Sequence, residues 1–340
     1  MAPRSGEAAV SAPILIAGQG LAGTLLGFAL EEAGLDFRIV DAGHAGAASR
    51  VAAGIINPVA GRRLVKAPRI GELLPLARTT YRKIELQAGV PLWRELKVRR
   101  LFRDACERRI FAEKQARGEL APFAHEADEA GFWIAPAARV DVPALLATTR
   151  VRWLRSGILR ETTVDWARLD PAHELVIDCT GAAARRGPFA KMDFAWSKGE
   201  TLQIAAPGLA PDVILNRGHW LLPLAGGTAW VGATHEPGVD DAEPTTAARE
   251  TLLAAAEALI GGPADARAQF AGVRLTTPDK LPVAGRHPAN PRLGICSALG
   301  GRGALFAPWL AQQWVEHLVG GSAFDQALVV QARSKRGSIR

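Results

Sequence analysis

The chain has 340 residues, of which 48% are hydrophobic and 22% charged, a balance that is typical of a globular protein and excludes disorder over most of its length. Its length favours two domains that share one ligand. The net charge of +7 leaves two interpretations open, a solvated basic face or a surface that attracts polyanions such as RNA or acidic substrates.

Cysteine usage and hydropathy restrict the class of protein further. Cys106, Cys179 and Cys296 lie far apart, so their spacing indicates neither a disulfide framework nor a metal site. No uninterrupted apolar stretch reaches the roughly 18 residues that a membrane span requires. Residues 1–13 do not have the pattern of a signal peptide. We therefore expect a cytoplasmic protein that does not associate with a membrane.

The N-terminal segment predicts a strand, a turn and a helix in succession. Residues 14–17 form a short apolar run, the motif Gly18-x-Gly20-x-x-Gly23 follows, and residues 25–33 carry helical apolar spacing. A second apolar run at 37–40 ends at an acidic residue. These elements predict a βαβ unit of about thirty residues, followed by a loop of small residues at 42–60.

The middle of the chain first mixes helices with strands and then changes pattern. Asp141 is predicted to cap a helix that has Pro143 in its first turn. Alternating runs separated by Pro and Gly between 201 and 234 predict an antiparallel sheet. The predicted helices are 69–87, 105–117, 142–149, 247–260 and 304–318. The predicted strands or short β-like runs are 99–102, 131–134, 151–154, 158–164, 175–178, 201–204, 213–215, 219–222, 229–233, 270–275 and 293–298.

Each glycine of the N-terminal motif has a separate steric role. Gly18 permits a tight turn, Gly20 lets a pyrophosphate approach the backbone, and Gly23 lets the helix and strand pack closely. The helix that begins near Leu21 directs its free amides and positive dipole end at the diphosphate. Asp41 can accept hydrogen bonds from both ribose hydroxyls and would repel a phosphate there, which disfavours NADP. The motif alone does not distinguish FAD from NAD. It also does not exclude that the three glycines belong to an ordinary turn without a ligand.

Four segments of the chain resemble the D-amino-acid oxidase superfamily, and within it the glycine oxidases and the oxidase domain of the bifunctional enzyme that builds 5-methylaminomethyl-2-thiouridine in tRNA. They are the glycine motif with Asp41, residues 49–58, residues 176–181 and residues 272–308. The resemblance implies an α/β fold with a Rossmann-like FAD-binding domain and a mainly antiparallel, α+β substrate domain. The FAD domain would consist of 1–75, 140–190 and 270–340, and the substrate domain of 76–139 and 191–269.

The resemblance also implies which residues contact FAD. Residues 49–58 resemble the loop along the isoalloxazine ring, residues 178–181 resemble a segment near the adenosine, and residues 300–303 precede a helix that would face the pyrimidine side of the flavin. Two of these segments have a purely structural alternative: residues 178–181 as a plain strand end, and residues 300–303 as the entry to a helix. No cysteine occupies 271–279, where some relatives attach flavin, so FAD should be non-covalent. The implied cofactor-binding residues are Gly18, Gly20, Leu21, Ala22, Gly23, Asp41, Ala42, Ser49, Arg50, Ala53, Gly54, Ile55, Thr180, Gly181, Gly300, Gly301, Arg302, Gly303 and Ala304.

Two arginines are the candidate catalytic residues. Arg274 matches the arginine that pairs with the substrate carboxylate in the glycine oxidase branch, a task that suits a planar guanidinium. The alternative for Arg274 is a structural ion pair with Asp279. Arg302 lies in the glycine-rich turn, where it either touches substrate or faces solvent.

Aromatic residues and histidines of the antiparallel segment are assigned structural roles. His219 and His235 are interpreted as hydrogen-bonded sheet residues, and Trp220 and Trp230 as core residues rather than substrate walls. No metal site is expected.

The function implied by the resemblance is oxidation of a carbon-nitrogen bond of an amino acid or secondary amine, with a hydride passing to flavin and the imine open to hydrolysis. Two alternatives stay open. One is a tRNA-modifying oxidase that acts on a carboxymethylaminomethyl-type uridine and lacks the fused methyltransferase, a pattern to which Asn57 and Pro58 are nearer. The other is a non-catalytic flavin-binding protein. The partners are thus a small-molecule amine substrate or tRNA.

Overall fold

The computed structural model describes residues 14–43 and 47–330. Residues 1–13, which the sequence predicts not to be a signal peptide, and the basic run at 333–340 lie outside the described residues. The helices are α1 (Leu21–Glu32), α2 (Ile70–Ala88), α3 (Ala105–Ala116), α4 (Val142–Arg155), α5 (Thr246–Ile260) and α6 (Gly303–Gly320). The strands are β1 (Ile14–Ala17), β2 (Phe37–Val40), β3 (Ile55–Ile56), β4 (Val59–Ala60), β5 (Val65–Lys66), β6 (Trp93–Leu101), β7 (Ala124–His125), β8 (Gly131–Val140), β9 (Leu159–Arg160), β10 (Val176–Asp178), β11 (Ala195–Ala205), β12 (Val213–Arg217), β13 (His219–Leu224), β14 (Thr228–Gly232), β15 (Glu236–Pro237), β16 (Asp265–Thr276), β17 (Val283–His287) and β18 (Asn290–Ser297).

The first sheet has the strand order β17-β18-β10-β1-β2-β9. Its neighbouring strands are parallel except for β17, which runs antiparallel to β18 at the edge. All four residues of β1 are buried, as expected for a parallel strand that is covered on both faces. The carboxyl ends of β1, β2, β10 and β18 lie at one edge of this sheet, so the loops that follow them meet there.

Helices α1, α4 and α6 form the apolar layer over one face of the first sheet. Gly27 of α1 leaves room for Trp153 of α4, since a Cβ atom at Gly27 would lie 2.6 Å from that ring. The ring of Trp153 also lies 5.4 Å from that of Phe28. Asp141 caps α4 as the sequence predicts, because its carboxylate accepts a hydrogen bond from the Ala144 amide at 3.2 Å.

The second sheet is mostly antiparallel and curled. Its order is β15-β11-β14-β13-β12-β6-β8-β3, with β16 paired to β11 and β7 to β8. One face packs on α5 through buried Leu202, Val231 and Leu252. Thr201 and Trp220 of the opposite face line a large cavity between the two sheets. The arrangement agrees with the predicted combination of a parallel sheet and an antiparallel sheet, whereas the residue limits of the two domains stay a prediction.

Several predicted elements have the wrong type or length. The β-like run at 151–154 is wrong, because α4 continues to Arg155 and buries Leu145, Thr149 and Trp153 at helical spacing. The predicted strand at 158–164 forms only Leu159–Arg160. The strands predicted at 99–102 and 131–134 are the ends of the longer β6 and β8. Strands β3, β4, β5, β7, β15 and β17 lie in segments where the sequence predicts none.

Candidate active site

The cavity between the sheets has a volume of about 660 Å³. It lies at the carboxyl ends of the parallel strands, the usual place for a nucleotide ligand in an open α/β sheet. Of the residues that the sequence singles out, the following line it: Gly18, Gly20, Leu21, Ala22, Asp41, Ala42, Ser49, Arg50, Ala53, Gly54, Ile55, Thr180, Gly181, Arg274, Gly300, Gly301, Gly303 and Ala304. Gly23 and Arg302 are not among the lining residues.

The glycine motif forms the turn between β1 and α1. Gly18 has φ +104°, and a Cβ atom there would lie 2.7 Å from the Cys179 carbonyl oxygen. A Cβ atom at Gly23 would lie 2.0 Å from the Gly18 carbonyl oxygen, so this glycine serves packing. At Gly20 a Cβ atom would meet only Ser49 Oγ, at 3.4 Å, among the described residues within 4 Å. The backbone at Gly20 is therefore the part of the motif that a ligand can approach.

The N-terminus of α1 opens into the cavity without a side-chain cap from its own N-cap residue, Gly20. The Leu21 amide donates a hydrogen bond to Ser49 Oγ at 3.1 Å. A free amide group and a hydroxyl beside a helix N-terminus are the groups that bind phosphate. Ser49, which was predicted from the loop after β2, thus lies in the cavity wall beside the N-terminus of α1.

Asp41 follows β2 and is held by a network of hydrogen bonds. Its Oδ2 accepts from the Gln19 amide at 2.8 Å, and its Oδ1 accepts from the Gly43 amide at 2.7 Å. Arg150 of α4 donates from Nη1 to the same Oδ1 at 2.8 Å. The carboxylate therefore has a fixed orientation at the edge of the cavity.

The start of α6 forms another wall of the cavity. Gly300 has φ +55°, and a Cβ atom there would lie 3.1 Å from Thr276 Oγ1. Gly303 and Ala304 are in the first turn of α6 and line the cavity, so free amides and the positive end of the helix dipole lie beside it. Arg302 is the N-cap of this helix, and burial lowers the pKa of its guanidinium.

Arg274 of β16 reaches into the cavity from the second sheet. Its Nη2 donates to the Thr234 carbonyl oxygen at 3.1 Å. A Cβ atom at Gly199 would lie 1.4 Å from Arg274 Nη2, so the absence of a side chain at Gly199 makes room for the guanidinium. Gly301 faces the other terminal nitrogen, with its hypothetical Cβ atom 3.9 Å from Nη1. The guanidinium thus lies between the second sheet and the start of α6.

No carboxylate of the described residues forms an ion pair with Arg274, and burial lowers the pKa of its guanidinium. Asp279, the alternative partner, instead accepts from Thr277 Oγ1 at 2.7 Å and from the Leu281 amide at 3.1 Å. A buried guanidinium without a counter-ion is costly. An anionic ligand in the cavity would offset that cost.

The pattern of the family with the description "FAD dependent oxidoreductase" (DAO) matches residues 13–316. The chain belongs to this family. A tRNA 5-methylaminomethyl-2-thiouridine biosynthesis bifunctional protein MnmC from Maricaulis maris is 34% identical over 329 residues, which are 92% of this chain and 53% of that protein. The chain spans about half the length of the bifunctional relatives that it matches.

Solved structures of two oxidases have the same fold. Glycine oxidase from Geobacillus kaustophilus superimposes with a TM-score of 0.76 at 23% identity, covering 93% of this chain and 97% of that protein. Iminodiacetate oxidase from Chelativorans sp. BNC1 also gives 0.76, at 21% identity, with 91% and 96% covered. The α/β fold and the resemblance to this superfamily are thereby confirmed. This DAO-family chain is an FAD-dependent enzyme, and FAD rather than NAD is its cofactor.

The DAO-family cofactor fits the groups that the cavity offers. The N-terminus of α1 with Ser49 suits the diphosphate, Asp41 suits the adenosine ribose, and the N-terminus of α6 suits the flavin ring. Non-covalent attachment stays a prediction. The described residues contain no group of three metal-ligating side chains and no helix long and apolar enough to cross a membrane.

Sequence reasoning missed the cavity wall that follows β9. Thr162, Thr163, Val164 and Trp166 line the cavity there. The available signal was a short apolar run of parallel-strand type, whose carboxyl end would lie beside that of β2. The predicted strand extends to 164 and therefore includes residues that line the cavity in the structure.

Residues of the second sheet near the cavity follow the predictions only in part. Trp220 lines the cavity, whereas the sequence favours a core role for it. Trp230 packs edge-on against Phe270 with ring centroids 6.1 Å apart. Burial lowers the pKa of His219 and of His235, and nearby Arg274 and Lys280 lower that of His235 further. Neither histidine is among the lining residues.

Replacing Asp41 by Ala should weaken FAD binding. A hydrogen bond to a charged group contributes about 1.5–3 kcal/mol, so we expect the Kd of the apoprotein for FAD to rise by roughly ten- to a hundredfold. Asp36→Ala is the matched control, because Asp36 is exposed just before the same strand. Titration of apoprotein fluorescence with FAD measures both. An unchanged Kd for Asp41→Ala would assign the ribose contact to another residue.

Asp178 is hydrogen-bonded to Thr180, which lines the cavity. We expect Asp178 to make the free energy of unfolding depend on pH. Its Oδ1 accepts from the Thr180 amide and hydroxyl, and burial raises its pKa to about 6. The folded protein therefore holds a proton that the unfolded chain loses near pH 4. The free energy of unfolding should fall as the pH rises from about 4 to about 6, by roughly 3 kcal/mol from this residue.

Asp178→Asn tests this pH dependence because it keeps an acceptor for Thr180 and cannot ionise. Urea unfolding of the apoproteins between pH 4 and 7 should show a smaller loss of stability for the variant than for the wild type. Parallel pH profiles would contradict the assignment.

Proposed function

We propose that this DAO-family enzyme oxidises the carbon-nitrogen bond of an amine that carries a carboxylate next to the reacting carbon. The observation that carries the proposal is the half-buried Arg274 guanidinium, which lines the cavity without a carboxylate partner among the described residues. A planar two-pronged donor matches a carboxylate in geometry and charge. An amino acid or an N-substituted amino acid supplies that group.

The residues around Arg274 support the positioning of such a substrate. Gly199 of the neighbouring strand β11 lacks a side chain, which leaves space for the Arg274 guanidinium, and its register partner Gly272 lets Val51 and Ala48 pack closely on β16. Thr201 and Trp220 form the wall on the same side of the cavity. A substrate carboxylate held by Arg274 would lie near the start of α6, where the flavin ring fits.

When bound, FAD supplies the hydride acceptor. The protein's contribution is orientation and electrostatics. The amides and dipole at the start of α6 favour negative charge beside the flavin site. The guanidinium of Arg274 binds the substrate carboxylate. The amine-bearing carbon of the substrate is therefore held in one position beside the flavin site. A side-chain acid or base is not required by this scheme.

The experiment is anaerobic flavin reduction by a panel of amines. The purified protein is mixed with glycine, sarcosine, D-amino acids, L-proline and iminodiacetate, and with methylamine and benzylamine as amines without a carboxylate. Bleaching of the flavin absorbance gives the rate for each. We expect reduction only by carboxylate-bearing amines, and equal rates with carboxylate-free amines would overturn the proposal.

A second candidate, oxidation of a carboxymethylaminomethyl-type uridine in tRNA, has an observation of its own in its favour. A shallow pocket of about 420 Å³ at the start of α3 is lined by Arg103, Arg108 and Arg217, together with Asp104 and Glu129. Arg217 ends β12 in the hairpin that leads to Trp220 in the cavity wall. A polyanion lying across this surface would therefore pass near the substrate cavity.

Arg62 adjoins this arginine-lined pocket, because its Nη2 lies 3.5 Å from Oδ2 of Asp104, the residue that caps α3. Arg63 follows it in the chain. The bifunctional relatives named for tRNA modification cover 86–92% of this chain, which also favours RNA. In that candidate the substituent's own carboxylate would occupy the place by Arg274.

Binding of under-modified tRNA at several salt concentrations distinguishes the two candidates. The double variant Arg63→Gln/Arg217→Gln should lower the affinity for tRNA. It should also reduce the slope of log K against log salt by about 1 to 2, because fewer counter-ions are released on binding when a phosphate contact is lost. Arg168→Gln/Arg267→Gln removes the same charge from exposed positions elsewhere. Equal behaviour of both double variants, or no bleaching of flavin by tRNA, removes the tRNA candidate.

A further inference from the structure

Arg150 of α4 lies behind the ribose end of the FAD cavity and joins three polar groups. Its Nη1 donates to Asp41 Oδ1 at 2.8 Å and to Gln19 Oε1 at 3.0 Å. Its Nε and Nη2 donate to Glu161 Oε1 at 3.2 and 2.7 Å. The side chains of Arg150 and Asp41 are only 13% and 16% exposed, so this ion pair is poorly screened by solvent, whereas Glu161 is 61% exposed. Arg150 is not among the residues that line the cavity.

The hydrogen bonds of Asp41 limit how it can hold a ribose. An ionised carboxylate has about four lone-pair sites. Oδ1 already accepts from Gly43 and Arg150, whereas Oδ2 accepts only from the Gln19 amide among the described residues. The acceptor capacity that is left therefore belongs to Oδ2. Arg150 thus determines which carboxylate oxygen can receive a ribose hydroxyl.

Gln19 connects the same network to the glycine motif. Its Nε2 donates to the Leu146 carbonyl oxygen at 3.0 Å, and its Oε1 accepts from Arg150, so both ends of its amide bind α4. Its backbone amide donates to Asp41. Helix α4 consequently holds the carboxylate and the turn between Gly18 and Gly20 in one arrangement.

We propose that Arg150 is a positioning residue for the adenosine ribose of FAD, which acts through Asp41 and Gln19 and makes the site selective for a ribose over a 2′-deoxyribose. Gly43 supports the arrangement, because a Cβ atom there would lie 3.1 Å from Arg150 Nη2. Burial alone would lower the pKa of Arg150, but hydrogen bonds with Glu161 and Asp41 raise it, so the guanidinium stays charged.

A purely structural ion pair would affect every ligand of the cavity alike. A positioning role confines the effect to ligands that carry the adenosine ribose. The proposal concerns cofactor binding only, so it is independent of the amine that the enzyme oxidises.

The test uses apoprotein and measures the Kd for FAD, for an FAD analogue with 2′-deoxyadenosine, and for FMN, which lacks the adenosine half. The variants are Arg150→Met, Arg150→Lys and the control Arg152→Met, each alone and combined with Asp41→Asn. Arg152 is on the same helix and pairs with Glu31, away from the cavity. Thermal unfolding of each apoprotein reports on folding.

Arg150→Met should raise the Kd for FAD by about tenfold, because Asp41 is then no longer held in place to accept the ribose hydroxyl, a hydrogen bond to a charged group. Arg150→Lys should recover part of this loss, since one ammonium can reach Asp41 but cannot span Gln19 and Glu161. The Kd for FMN, and the Kd values of Arg152→Met, should change by less than about twofold. In the Asp41→Asn background Arg150→Met should add less than about twofold for FAD.

Two results would overturn the proposal. One is an equal loss of affinity for FMN and FAD in Arg150→Met. The other is a tenfold loss that persists in the Asp41→Asn background or with the 2′-deoxy analogue. Should Arg150→Met not fold, Arg150→Lys supplies the same comparisons, because it keeps the charge.

Discussion

Gly20→Val should give a folded protein that does not bind FAD. Gly20 has φ −79° and ψ −170°, a conformation that valine adopts without strain. A Cβ atom there would meet only Ser49 Oγ among the described residues within 4 Å, so the protein itself has room for it. The added side chain instead occupies the space where the diphosphate must approach the backbone of α1. We expect the Kd for FAD to rise by at least about a hundredfold.

The matched control is Gly23→Val in the same motif. Its Cβ atom would lie 2.0 Å from the Gly18 carbonyl oxygen, so this substitution should prevent α1 from packing on β1 and destabilise the fold itself. Circular dichroism and thermal unfolding separate the two variants, and the flavin absorbance of the purified proteins reports cofactor. A yellow Gly20→Val protein with wild-type affinity would show that the diphosphate does not lie at this turn.

Local steric rules explain why the glycine motif could be predicted from the sequence. Gly23 is constrained by the Gly18 carbonyl oxygen of the same turn, and although Gly18 also meets the Cys179 carbonyl oxygen after β10, the spacing of the three glycines recurs wherever such a turn binds a diphosphate. The cap at Asp141 is equally local. Such features can be recognised from their spacing in the sequence alone.

Contacts between distant segments explain what the sequence could not predict. Arg150 lies 109 residues from Asp41 and 131 from Gln19, so no local pattern links them. The run 151–154 contains a valine, a leucine and a tryptophan and resembles a short strand locally. Its helical state follows from Trp153, which packs on Phe28 and beside Gly27 of α1. Tertiary packing overrides local propensity there.

The site prediction for Arg274 came from a resemblance, whereas the space that it requires came from the structure. Gly199 has no motif around it that marks it as important. Only the register of β11 with β16 brings Gly199 beside the arginine. The two residues now form a pair whose roles can be tested together.

Arg274→Lys should leave FAD bound and lower kcat/KM for a carboxylate-bearing amine by roughly tenfold to a hundredfold. Lysine keeps the charge but offers a point donor where a carboxylate takes two parallel hydrogen bonds. Arg274→Met removes the charge as well, so its effect should be larger. We expect a total loss of about 2–5 kcal/mol of transition-state stabilisation for this variant. Steady-state kinetics with the best amine of the panel and flavin absorbance of the pure protein measure both quantities.

Gly199→Ala is an independent test, because it displaces the Arg274 guanidinium without changing the arginine itself. The new Cβ atom would lie 1.4 Å from Arg274 Nη2, so the guanidinium must move away from its present position between Gly199 and Gly301. If Arg274 anchors the carboxylate, Gly199→Ala should raise KM in the same direction as Arg274→Lys, and the double variant should be little worse than either single one. Gly71→Ala is the control for glycine replacement, since Gly71 is exposed in the first turn of α2, has no left-handed φ, and has no described atom outside its own helix within 4 Å of its Cβ position. Any slow residual flavin reduction by a carboxylate-free amine should be insensitive to all of these changes, because such an amine never uses the guanidinium. If that amine loses as much rate as its carboxylate-bearing counterpart, Arg274 supports the cavity rather than the substrate, and the anchoring role is wrong.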